Sequence, residues 1–113
     1  MMNTQQIKFG INFRLTNYAY GEVDNFIECV GGIEPIELKD RYTVFLNDLL
    51  SRKIKPSTLV DKDVLEVFQE DLSNRANIDY ENGHHDDDPE IMRGGKRFYV
   101  LANQLKSHIE KGI

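Results

Sequence analysis

The densest chemistry in the chain is the run His84-His85-Asp86-Asp87-Asp88, flanked by Glu81 and Glu90. Imidazole nitrogens and carboxylate oxygens form a donor set for zinc, manganese or iron. Adjacent residues of an extended chain point in alternate directions, however. Structural zinc sites also draw ligand pairs from separated segments. The one other histidine, His108, lies well downstream. The run therefore reads as a solvated acidic loop tip, and no metal or other cofactor is assigned. A metal site built on His84 and His85 is the alternative that it would support.

Other reactive groups are sparse. Gly94-Gly95-Lys96-Arg97 resembles a phosphate-binding turn only in outline, because the longer glycine loop and the Lys-Ser or Lys-Thr pair are missing. Cys29 is the sole cysteine and reads as a small core residue. With no internal disulfide to form, it fits a reducing, cytoplasmic setting. No nucleophile elbow, dinucleotide glycine fingerprint or zinc-protease helix is present. Acids are plentiful, yet nothing selects one pair for acid–base work. The expectation is a non-enzymatic protein.

Charge carries more information. Residues 61–90 hold eleven acids against Lys62 and Arg75, whereas residues 1–60 are balanced and residues 91–113 are basic. Such an acidic middle repels nucleic acid and attracts a basic protein surface. Loop tyrosines are favoured at interfaces, which points to Tyr18, Tyr20 and Tyr80. The functional expectation is a protein-binding module of inhibitor or immunity type that masks a basic partner. Its contact residues would be Asp79, Tyr80, Glu81, Asp86, Asp87, Asp88 and Glu90.

These residues need elements to position them. Ile7, Phe9, Ile11, Phe13 and Leu15 alternate with polar neighbours, the period of a strand with one buried face. Residues 16–21 read as a connector. Helical stripes follow at Val23-Phe26-Ile27-Val30, at Leu38-Tyr42-Phe45-Leu46-Leu49, at Val64-Leu65-Phe68-Leu72 and at Phe98-Leu101-Leu105-Ile109. They predict helices near 22–30, 36–52, 62–75 and 96–111, with Asp61 as an N-cap and Pro56 enforcing a stop.

Residues 77–95 are polar and contain Asn82-Gly83, Pro89 and Gly94-Gly95, which reads as a flexible acidic loop at 79–95. The strand at 7–15 needs an edge partner. Candidates are Ile78 and Tyr80, or a second copy in a homodimer that would make the chain a structural subunit. No segment reaches the roughly 20 apolar residues of a membrane span, and Met1–Gln6 lacks the pattern of a secretory leader. The fold expectation is one α+β domain over 1–113, predominantly helical. About four helices pack with the N-terminal strand and at most a small sheet.

Overall fold

In a computed structural model, residues 5–14, 16–85 and 87–111 are described, though not the side chains of Asn17, Tyr18, His84 and His85. The elements run β1 (Gln6–Lys8), α1 (Asn17–Glu28), a 3-10 turn at Val30–Gly32, α2 (Ile36–Leu50), β2 (Leu59–Asp61), α3 (Lys62–His85) and α4 (Pro89–Lys111). Among the described residues the protein is an α+β domain of four helices with one two-stranded sheet.

The alternation at the start of the chain is real. Ile7, Phe9 and Ile11 are buried and Phe13 packs against them, while Lys8, Gly10, Asn12 and Arg14 face outward. Regular strand geometry is confined to Gln6–Lys8, and Leu15 lies outside the described residues. Within the chain the partner is not Ile78 and Tyr80. It is β2, antiparallel, with Ile7 opposite Val60. Pairing continues past the strand, where Phe9 and Gly10 donate to the carbonyls of Thr58 and Pro56.

Gly10 has φ +77°, a conformation that suits glycine. A Cβ there would also fall 2.5 Å from the His108 ring. His108 Nε2–H donates to the Lys8 carbonyl, which ties α4 to β1.

Helix ends explain where the sequence expectations slipped. The segment read as a connector starts α1, because Thr16 Oγ1 accepts the Ala19 N–H at 3.1 Å as an N-cap. Cys29 closes that helix and is exposed, so it is not a core residue. Pro56 does not stop α2. Ser51 is its C-cap, and Arg52 takes a left-handed conformation (φ +61°). Arg52 N–H reaches the Leu49 carbonyl and Lys53 N–H the Asp48 carbonyl, the paired bonds of a Schellman motif.

The largest departure is at 77–95. Helix α3 runs on to His85 and α4 starts at Pro89, so an acidic loop at 79–95 is replaced by a helical hairpin. Asp87 is left-handed (φ +54°), and Asp88 N–H returns to the Gly83 carbonyl. Asp88 Oδ1 then accepts the N–H groups of Glu90 and Ile91 at 3.1 and 3.3 Å, capping α4. Pro89 stands at its first position, where a missing N–H is harmless.

The glycines that suggested turns serve helix contact instead. A Cβ at Gly83 would lie 2.6 Å from the Met92 nitrogen, and one at Gly95 2.7 Å from the Tyr80 nitrogen. With Ala76 also buried, α3 and α4 approach closely over their outer halves.

The inner halves carry the core. Phe68 is fully buried and meets the rings of Phe45, Phe13, Phe9 and Phe26 at centroid distances of 5.1, 5.9, 6.2 and 6.4 Å. Burying a side chain of this size stabilises by about 1.5–3 kcal/mol. These rings come from α2, the segment after β1, α3 and α1, so Phe68 joins the small sheet to the helices.

Candidate functional site

The expected contact residues separate into two groups. Asp79 is only 3% exposed and its Oδ1 lies 3.2 Å from Arg75 Nε. Arg75 also pairs with the buried Glu22 of α1. One guanidinium thus serves two carboxylates. Burial pushes the Asp79 carboxyl up to about 6, and it raises Glu22 too, against the pull of Arg75. Asp79 belongs to this internal network and is withdrawn as a surface contact.

Tyr80 is half-buried, edge-on to Tyr99 at 6.3 Å, with Lys96 Nζ 5.8 Å from its ring centre. Asp88 is the cap of α4. Asp86 lies outside the described residues, as do the side chains of His84 and His85. Glu81, Asp87 and Glu90 are exposed.

The same sorting applies to the rest of the acidic segment. Arg41 of α2 binds Asp63 in a two-pronged pair at 2.9 and 2.8 Å and reaches Asp61 at 2.9 Å. These bonds hold the Asp63 carboxyl below its usual value. Asp61 precedes α3 as expected, yet its carboxylate accepts from Arg41 and from Gln6 rather than acting as a helix cap. Asp71 accepts from the hydroxyl of the fully buried Tyr42, and burial raises the Asp71 carboxyl.

What remains outward on α3 is Glu66, Glu70 and Glu81, which make no ion pair among the described residues. Their spacing places them within about 60° of one another, along roughly 22 Å of helix. Asp87 and Glu90 are also exposed, at the hairpin turn. Glu66 and Glu70 were absent from the expected contact set. Their i, i+4 spacing outside the apolar stripe was the signal that could have found them.

A second feature involves earlier elements of the chain. Between α2 and β2 is a groove of about 370 Å³. Phe45, Val60 and Val64 form its floor, all buried. Val44 and Leu59 stand on its lip, 60% and 59% exposed, with Asp40, Asp48 and the Arg41–Asp61 pair around them.

Among the described residues no three His, Cys, Asp or Glu side chains come together to hold a metal ion. No described helix is long and apolar enough to cross a membrane. Compared with protein-family models, with curated proteins and with solved structures, the chain matches none.

Proposed function

We propose that the protein is a small, acidic, non-enzymatic binding module of inhibitor or immunity type that masks a basic surface of a partner protein. The observation that supports this reading is the row of Glu66, Glu70 and Glu81 along α3, with Asp87 and Glu90 exposed at the hairpin turn. These carboxylates remain after the structural ones have found their partners. A row of like charge on a rigid helix speeds encounter with a basic surface and disfavours neutral or acidic ones. It repels the phosphates of nucleic acid. Carboxylates carried on a formed helix need little backbone ordering on binding.

The test is capture of partners from the native cell on the tagged protein, washed at low and then high salt, followed by titration with the purified partner. The variant combines Glu66→Lys, Glu70→Lys and Glu81→Lys, three exposed positions without internal ion pairs. The expected result is one stoichiometric basic partner, bound at least tenfold more weakly by the variant and with a flatter salt dependence. Unchanged affinity, or no partner in either wash, overturns the reading.

A further inference from the structure

Strand β2 has an open edge. Antiparallel strands exchange main-chain bonds at alternate residues. The Lys62 N–H donates to the Gln5 carbonyl and the Phe9 N–H to the Thr58 carbonyl, on either side of the Ile7–Val60 pair. Thr58, Val60 and Lys62 thus bond toward β1. The Leu59 N–H and C=O and the Asp61 N–H point the other way, where no main-chain group among the described residues meets them, while the Asp61 carbonyl opens the hydrogen-bond ladder of α3.

That open edge borders the groove against α2. It places three kinds of recognition together. The strand edge offers main-chain donors and acceptors. The groove offers an apolar floor between the exposed Val44 and Leu59. Asp40 and Asp48 offer negative charge, and neither makes an ion pair among the described residues. An unprotected edge beside exposed apolar side chains is a feature that folded proteins normally cover.

We infer that β2 and this groove take an extended, basic segment of a partner protein, which adds as a third strand. Its main chain pairs with the N–H and C=O of Leu59 and with the N–H of Asp61. Alternate apolar side chains enter the groove, and its lysines or arginines meet Asp40 and Asp48. Charge decides the occupant. Arg41 on the groove wall already neutralises Asp61, so a second copy pairing here would set Asp40 and Asp48 against their own equivalents, whereas a basic strand neutralises them. The inference stands on this edge alone and holds whether or not the α3 row binds a partner.

The probe is an eight-residue blocked peptide of alternating lysine and valine, titrated into the isotope-labelled full chain. Amide signals are followed by NMR. The signals of Val44, Leu59 and Asp61 should shift saturably. Peptides with glutamate for lysine, or N-methylated at alternate amides, should bind at least tenfold more weakly. Leu59→Pro removes an outward N–H and leaves the bonds to β1 in place, and it should cost a similar factor with the fold retained. If that variant unfolds, Asp40→Asn with Asp48→Asn replaces it and should abolish the salt dependence of peptide binding.

The inference fails if no shift occurs at about 1 mM peptide, if shifts map to α3 instead, or if the N-methylated peptide binds equally well. Shifts of the same amides with protein concentration alone would also overturn it and assign the edge to a second copy.

Discussion

Gly95 of α4 rests on the main chain of Tyr80 in α3, so closely that a single added carbon would lie 2.7 Å from the Tyr80 nitrogen and 3.1 Å from the Ala76 carbonyl oxygen. Both neighbours are backbone and cannot swing aside. Gly95→Ala should therefore destabilise by about 1–3 kcal/mol despite alanine's better helix propensity. Gly21, in α1, has nothing within 4 Å of the equivalent position. Gly21→Ala should stabilise by about 0.5–1 kcal/mol. Urea unfolding of the two variants should move in opposite directions, and a gain at both positions would contradict the close helix contact.

Arg52 ends α2 in a left-handed conformation that costs an L-residue roughly 1–2 kcal/mol. Arg52→Gly should recover part of this, about 0.5–1 kcal/mol, because glycine gives back some of the gain as chain entropy. A lower melting temperature in the glycine variant would mean that the arginine side chain contributes more than its backbone costs.

Arg41 joins α2 to the junction of β2 and α3 through its fork on Asp63. Lysine carries the same charge and lacks the fork, so Arg41→Lys should still lose about 1–2 kcal/mol. Arg41→Ala should lose more, since Asp61 and Asp63 would then face each other without a cation. Equal stability of the lysine variant and the parent would reduce the clamp to a point charge.

Acid should first strengthen this protein. Asp79 holds its proton up to about pH 6, against an ordinary value of 3.8, and burial raises Glu22 and Asp71 as well. Over that window the folded state keeps protons that the unfolded chain has released, so stability rises as pH falls from 7 toward 5. The share of Asp79 is no more than about 3 kcal/mol. Asp63 has the opposite sign. Its contribution is present above the unfolded value and disappears as pH falls through its lowered one. Denaturant titrations at several pH values should show a maximum on the acid side of neutrality, and Asp79→Asn should flatten the rise. A steady decline from pH 7 to 5 would show that burial does not dominate at Asp79.

Much of the fold was readable because apolar spacing reports burial directly. Ile7, Phe9 and Ile11 gave the strand face, and Tyr42, Phe45 and Phe68 gave the helix faces. The outer hairpin was hidden because Gly83 and Gly95 fill stripe positions where an apolar residue was expected. They are there to admit the neighbouring backbone, and a sequence shows glycine alike in a turn and at a helix contact. Asp88-Pro89-Glu90 did carry a helix-start signature, masked by the polarity around it.

The acidic count in the middle of the chain was also correct as a count. Which carboxylates are committed was only partly visible: Arg75 and Asp79 are an i, i+4 pair on α3, but Glu22 joins that guanidinium from α1, and Asp63 depends on Arg41 of α2. The groove at β2 was equally silent. Val44 and Leu59 look like strays from an apolar pattern until α2 and β2 stand side by side.

The hydrogen bond from His108 to the Lys8 carbonyl sets a schedule for biosynthesis. The first strand emerges early, with Phe9 and Ile11 uncovered, and its cover includes side chains made a hundred residues later. At a translation rate of about 5–20 residues per second, that interval is of order 5–20 s. Throughout it Phe9 and Ile11 stay open to aggregation and to chaperones.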